Sequence, residues 1–223
     1  MRTAAIVAID GPVGAGKSTV AMGVARALGI RYIDTGAMYR SVAWLALRQG
    51  VDLRDERAVA SIAASASIEF VPANSRQAVV VNGTDVTEAI RTPEVSEAAS
   101  VVSAHPAVRH AMVALQRRMG AEGGVVMEGR DIGTVVFPDA EVKVFLDASP
   151  EERARRRFKE LVAKGVAVDY ESLKKAEEER DRRDSTRAHS PLRRAPDAVV
   201  IDTTGLTVQE IVDRIVQLVR VQQ

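Results

Sequence analysis

Gly11-Pro12-Val13-Gly14-Ala15-Gly16-Lys17-Ser18 satisfies the pattern G-x-x-x-x-G-K-[ST] without a mismatch. Phosphate binding is the chemistry that this spacing serves. The glycines let consecutive backbone N–H groups turn inward around phosphate oxygens, and a helix opening behind them adds the partial positive charge of its N-terminus. Lys17 can bridge the outer phosphates of a nucleoside triphosphate and the Ser18 hydroxyl can ligate Mg²⁺, with Thr19 completing the loop. An apolar run, Ala4–Ile9, precedes the loop and a helical pattern follows from about Lys17 to Leu28, which is the context the motif needs. No Asn-Lys-x-Asp base-reading motif accompanies it. Asn82-Gly83-Thr84-Asp85 has the outer spacing but lacks the lysine, and the D-x-x-G match at Asp202–Gly205 lies far down the chain, so a GTPase is not indicated.

Three further constellations bring arginines together with hydroxyls and carboxylates. Asp34-Thr35-Gly36-Ala37-Met38-Tyr39-Arg40 opens a second helix, and Glu128-Gly129-Arg130-Asp131-Ile132-Gly133-Thr134 follows a strand at Val125–Met127. In open α/β sheets, ligands lie at that carboxyl end. Arg180-Asp181-Arg182-Arg183-Asp184-Ser185-Thr186-Arg187 interleaves arginines with acids. One arginine alone reads as a solvated surface charge. Together these clusters make the forked donor arrays that hold phosphate bidentately. His105, His110 and His189 are too scattered for a metal cluster, and the absence of cysteine removes thiolate nucleophiles and disulfides alike.

The elements that must position these groups alternate between strand and helix. Strands are predicted at Ala4–Ile9, Arg31–Ile33, Val125–Met127, Val142–Leu146 and Ala198–Ile201, with helices at about Lys17–Leu28 and Gly36–Gln49. Such alternation implies a parallel sheet covered by helices. Ser149-Pro150-Glu151-Glu152 and Thr207-Val208-Gln209-Glu210 read as capping boxes that open two later helices. Two stretches break the pattern. Ile68–Val71 and Gln77–Val81 read as antiparallel strands, the second ending in the hairpin signal Asn82-Gly83, and a helix follows over roughly Pro93–Ser103. Residues 151–194 carry 14 basic and 10 acidic side chains, from Arg153 through Lys164 to Arg194, with few apolar anchors. A small P-loop fold with an insert and a basic segment suggests a small-molecule kinase whose basic segment closes over transferring phosphates.

Composition narrows the classes further. The chain has 223 residues, 46% of them hydrophobic and 27% charged, which suits one globular domain and excludes a disordered or collagen-like chain. Aromatics at 4% are too few for stacking platforms along single-stranded nucleic acid, and the acids within the basic stretch interrupt any phosphate-tracking stripe. The N-terminal apolar run is too short for a membrane span or a signal peptide, so a soluble, cytoplasmic protein is expected. The net charge of +1 conceals an excess of +4 within residues 151–194.

On these residues the sequence resembles the bacterial cytidylate kinase family, the CMP/dCMP kinases among the nucleoside monophosphate kinases. The resemblance rests on Asp10-Gly11-Pro12 leading into the P-loop, Asp34-Thr35-Gly36, Asn82–Val86 and Ile90-Arg91-Thr92. It continues through Gly129-Arg130-Asp131, Val135-Val136-Phe137-Pro138-Asp139-Ala140, Phe145-Leu146-Asp147-Ala148 and Arg180–Arg187, so it spans essentially the whole chain. It implies a single α/β P-loop kinase domain over residues 1–223, a parallel sheet flanked by helices. Within it, a small antiparallel monophosphate-binding insert is expected at 66–103 and a helical lid at 151–189. It implies ATP as phosphoryl donor, Mg²⁺ as cofactor, CMP and dCMP as substrates, and no nucleic-acid or membrane partner. A monomer is the default, because no long apolar interface stripe is visible.

The resemblance also distributes roles. Arg40 and Arg130 would hold the CMP phosphate, with Thr35 and Tyr39 lining that pocket, and Ser100, Arg109 and Asp131 would read the cytosine. Arg180 and Asp184 would contact the acceptor sugar, and Arg187 its phosphate side. Lid arginines among Arg153, Arg156 and Arg157 would approach the ATP phosphates, so Lys17, Arg130, Arg157 and Arg187 form the expected catalytic set. Glu128 stands where many members have aspartate and would reach Mg²⁺ through water. Cytosine offers an amino donor where uracil offers a carbonyl, so acceptors at Asp131 and Ser100 favour cytosine, while Arg109 donates toward O2 and N3. A shikimate or other nucleotide kinase, and a nucleotide-regulated or nucleic-acid-binding protein, are the competing readings.

Overall fold

The computed structural model describes residues 5–71, 77–163 and 165–222. Ala4, where the first strand was predicted to begin, and Lys164 of the basic stretch lie outside the described residues, as does part of the predicted insert at 72–76. In chain order the elements are β1 (Ile6–Asp10), α1 (Lys17–Leu28), β2 (Arg31–Asp34), α2 (Thr35–Arg48), α3 (Glu56–Ser65), β3 (Ile68–Val71), β4 (Ala78–Val81), β5 (Thr84–Asp85), α4 (Pro93–Val102) and α5 (Pro106–Gly120). They continue with β6 (Val125–Gly129), β7 (Val142–Asp147), α6 (Pro150–Ala163), α7 (Tyr170–Thr186), β8 (Val199–Asp202) and α8 (Val208–Gln222). The chain divides into two compact units, one formed by residues 1–32 and 120–223 and the other by 33–119.

The first unit is built on a sheet of strand order β2-β6-β1-β7-β8, flanked by helices. β1 pairs in parallel with both β6 and β7, and β7 in parallel with β8. A central strand buried on both faces must be apolar throughout, which is why Val7, Ala8 and Ile9 follow one another without alternation and are wholly buried. α1 and α8 pack side by side, and their Val20, Val24, Ile211, Val212 and Ile215 close a core with Val7, Ile9, Val126, Val144, Leu146 and Ile201. β1 runs one residue further than predicted because Asp10 still pairs with Gly129 in the ladder.

In the second unit, α2 packs against α4 and α3, and β3-β4-β5 forms a separate antiparallel sheet. The predicted Asn82-Gly83 turn joins β4 to β5 with φ of 49° and 77°, the left-handed pair that a two-residue hairpin of this hand requires. α2 starts at Thr35, one residue before the predicted Gly36, because the Asp34 side chain caps it by accepting the Ala37 N–H at 2.9 Å.

Of the two predicted capping boxes, one forms in full: Thr207 N–H donates to Glu210 Oε2 at 2.8 Å and Glu210 N–H to Thr207 Oγ1 at 3.3 Å. The other forms by half. Glu152 N–H reaches Ser149 Oγ at 3.2 Å, but the Glu152 carboxylate turns instead to Arg155 and Arg156.

Candidate functional site

The P-loop of the first unit is shaped by its glycines. Gly11 has φ of 151°, and a Cβ there would lie 2.0 Å from the Leu146 carbonyl oxygen. Gly14 has φ of 76°, and a Cβ there would meet the Arg153 Cβ at 2.8 Å. α1 begins behind Gly16 with no side-chain cap, so its first N–H groups face the loop. Ser18 and Thr19 are exposed on its first turn, and Lys17 is buried with its Nζ donating to the Pro12 carbonyl at 2.6 Å. Burial pushes the Lys17 ammonium down to about 7, with Arg130 acting in the same direction against Glu128, Asp181 and Asp10.

The strand ends around this loop carry the acids. Glu128, at the end of β6, is buried and accepts a hydrogen bond from the Tyr32 hydroxyl. Asp10 ends β1 and accepts the Ile132 and Gly133 N–H groups at 2.9 and 2.8 Å. Its carboxyl is pushed up to about 7 by burial, against those two donors. Asp131, also buried, lies between β6 and a π-helical turn at Ile132–Val136.

The basic segment folds as α6 and α7, and these helices separate arginines that the sequence leaves equivalent. Arg153 is buried. It donates to the Val13 carbonyl at 3.1 Å, to the Ala148 carbonyl at 3.1 Å and to the Asp181 carboxylate. Asp181 in turn accepts the Val13 N–H at 3.1 Å, so Val13 is clamped to α6 through its carbonyl and to α7 through its amide. Arg156 donates to the Thr203 hydroxyl and carbonyl at 2.9 and 2.8 Å, whereas Arg157 pairs with Glu160 at 2.7 Å and Arg155 with Glu152. On α7, Asp184 is buried. It accepts from Arg130 Nε at 2.9 Å and from Arg187 Nη1 at 3.4 Å, while Arg187 Nε reaches the Ser190 carbonyl at 2.7 Å. Burial opposes ionisation of Asp184, but Arg130, Arg187 and Arg180 together hold its carboxyl below the usual carboxylate range.

The first unit therefore brings together the loop 11–19, Glu128, Arg130, Asp131, Arg153, Asp184 and Arg187. Sequence reasoning missed the roles of Asp10, Asp181 and Thr203 here. Asp181 lay within the flagged Arg180–Arg187 run, but spacing alone carries no signal that singles it out.

The second unit carries its own polar cluster. Arg40 Nη2 pairs with Asp34 Oδ2 at 2.7 Å. Burial raises the Asp34 carboxyl, but Arg40 and the Ala37 amide outweigh it and hold the group below its ordinary range. Thr35 and Tyr39 are buried on α2, and the Arg109 guanidinium of α5 lies 5.2 Å from the Tyr39 ring centroid. Arg109 Nη1 also reaches the Ser103 carbonyl at 3.3 Å, and Ser103 Oγ donates to the Ser100 carbonyl at 3.1 Å, which links Arg109 to α4. The Ser100 hydroxyl itself is buried with no hydrogen-bond partner among the described residues. Buried hydroxyls are rarely left so, and a polar ligand would satisfy this one.

Among the described residues, no cluster of His, Cys, Asp or Glu could cage a metal, and no helix is long and apolar enough to cross a membrane. A family profile described as cytidylate kinase matches residues 7–221. The chain is 56% identical over 213 residues to a cytidylate kinase of Geobacillus kaustophilus, covering 96% of this chain and 95% of that one. It is 54% identical to a cytidylate kinase of Bacillus subtilis, with 96% and 95% covered. A solved shikimate kinase from Acinetobacter baumannii, in complex with shikimate, superposes with a TM-score of 0.51 at 14% identity, covering 99% of this chain and 96% of that one. At that identity the likeness speaks for the fold alone.

Proposed function

The chain belongs to the cytidylate kinase family, and from that premise we propose how its residues divide the transfer of a phosphoryl group from ATP to CMP or dCMP. The activity is ATP-dependent phosphorylation of CMP and dCMP to CDP and dCDP. On the first unit, residues 11–19 bind the ATP phosphates through backbone N–H groups, with Lys17 leaving the Pro12 carbonyl for a phosphate oxygen. Arg130, which also contacts the acceptor phosphate, neutralises charge on the transferring group together with Arg157 and Arg187. Arg180 and Asp184 hold the acceptor sugar, and Asp131 accepts from the cytosine amine. On the second unit, Thr35, Tyr39 and Arg40 hold the acceptor phosphate, while Ser100 and Arg109 face the base.

No general base is needed, because a nucleoside monophosphate is largely dianionic at neutral pH, with a second pKa of about 6. Catalysis then consists of alignment for in-line transfer and stabilisation of charge by preorganised donors. The donor set fits Mg²⁺ arriving with ATP: an exposed Ser18 hydroxyl and the buried Glu128 carboxylate are hard oxygen ligands, too few to cage the ion without substrate phosphates. Bound there, Mg²⁺ would neutralise phosphate charge, and the Tyr32 hydroxyl would orient Glu128. Residues 1–223 act as one P-loop kinase domain with a monophosphate-binding insert at 66–103 and a lid at 151–189, a cytoplasmic monomer without nucleic acid or membrane.

The observation that carries the cytosine assignment is the buried Ser100 hydroxyl, unpartnered among the described residues, on a residue whose carbonyl is tied through Ser103 to Arg109. It is tested by comparing kcat/KM for CMP and UMP in the wild type and in Ser100→Ala. Selective loss of CMP turnover supports the assignment, and an unchanged CMP-to-UMP ratio overturns it.

A further inference from the structure

We propose that Asp10 is a positioning residue for cytosine selection, fixing the backbone on which Arg130 and Asp131 stand. The inference rests on the reading of Arg130 and Asp131 as acceptor-nucleotide contacts. Asp10 is an odd residue for its place. It ends a central strand whose preceding residues are apolar, and it is only 4% exposed. A buried carboxylate is costly unless its oxygens accept hydrogen bonds.

Both oxygens do so, and on consecutive residues of one turn. Oδ1 takes the Ile132 N–H at 2.9 Å and Oδ2 the Gly133 N–H at 2.8 Å. These are the first two donors of the π-helical turn Ile132–Val136. That turn's own N-cap residue, Asp131, makes no side-chain cap bond to it. Capping is thus supplied across the sheet by Asp10 rather than by the turn's own N-cap residue.

The consequence for the reading residues is geometric. Asp10 pairs with Gly129 in the β1–β6 ladder, which anchors the backbone just before Arg130. Its carboxylate holds the Ile132 amide, which belongs to the peptide bond that directly follows Asp131. The carbonyl of that same peptide accepts the Val135 and Val136 N–H groups at 2.9 and 3.1 Å. Arg130 and Asp131 are therefore bracketed between two anchors belonging to one residue, and rotation of the peptide after Asp131 would swing its side chain. Gly133 leaves little slack, since a Cβ there would lie 3.3 Å from the Lys143 side chain and 3.5 Å from Asp10 Oδ2. Asp10 also directly precedes Gly11, so the residue that opens the ATP loop is the one that sets the acceptor-reading loop.

The test is steady-state kinetics at pH 8 with CMP, dCMP, UMP and AMP on the wild type, Asp10→Asn and Asp10→Ser. Asn places an amide donor against a backbone N–H, whereas Ser keeps one acceptor, adds no bulk and guards against a misfolded Asn variant. The expected result is a rise in KM for CMP of about tenfold and a similar fall in the CMP-to-UMP ratio of kcat/KM, with KM for ATP changed less than about twofold. A purely structural role would lower the active fraction, and so kcat for every nucleotide, with those ratios intact. Unchanged ratios in the folded variants, or a KM for ATP that rises in step with that for CMP, overturn the inference. A wild type that does not prefer CMP overturns the underlying reading instead.

Discussion

Asp131 and Ser100 are where cytosine and uracil should be told apart. On the proposed assignment, Asp131→Ala removes an acceptor that the cytosine amine can use and the uracil carbonyl cannot. The CMP-to-UMP ratio of kcat/KM should therefore fall by about 10- to 100-fold, measured by ADP release, and Ser100→Ala should lower it in the same direction. Gly14→Ala strains a left-handed residue and drives a methyl group into Arg153, so KM for ATP should rise while the CMP-to-UMP ratio holds. The chemistry of the loop residues was legible because G-x-x-x-x-G-K-[ST] states both residue type and geometry. The arginines were not. Arg153, Arg155, Arg156 and Arg157 look alike in sequence, yet Arg153 is the buried clamp on Val13 and Arg155 pairs with the neighbouring Glu152. Which arginine turns inward is decided by the rotation of α6 against the loop, which no spacing states.

Among the elements, α7 carries two acids with opposite pH dependence. Asp184 is held below the ordinary carboxylate range, so its contribution to stability is full above about pH 4 and lost as pH falls through its lowered value. Burial pushes Glu177 up to about 7, with Asp181 adding to the effect and Arg157, Arg153 and Arg180 opposing it. That contribution is full below the unfolded value of about 4.3 and is lost as pH rises through about 7. In urea titrations, Glu177→Gln should therefore gain on the wild type between pH 5 and pH 8, and Asp184→Asn should lose most above pH 5. Breaking the Arg153–Asp181 pair with Asp181→Asn leaves a buried guanidinium uncompensated and should cost about 3 kcal/mol in the same titrations. The helices opened by strong local signals were readable, as with Thr207–Glu210. α3 and α5 passed unnoticed, although Asp55 caps the first by accepting the Ala58 N–H at 3.0 Å and Pro106 stands first in the second, since these single-residue start signals also occur in turns.

For the whole molecule, the alternation of strand and helix was enough to predict the parallel sheet of the first unit, since continuous apolar strands admit few other arrangements. The extent of the second unit was harder to see. Residues 33–119 contain the predicted insert at 66–103 but begin at β2, where the sequence shows only an unbroken strand-to-helix step. Ligands that bind the folded chain alone must stabilise it, by about 2.7 kcal/mol at a hundredfold excess over Kd. ATP and CMP should each raise the melting temperature, and UMP at equal concentration should raise it less than CMP. The measurement that bears most directly on the central claim is ADP release with CMP, dCMP, UMP and AMP as acceptors, in the wild type beside Asp131→Ala. CMP and dCMP should be the fastest acceptors, and the alanine variant should lose that preference while still turning over. Faster turnover of UMP or AMP by the wild type, or full cytosine preference without Asp131, would contradict it.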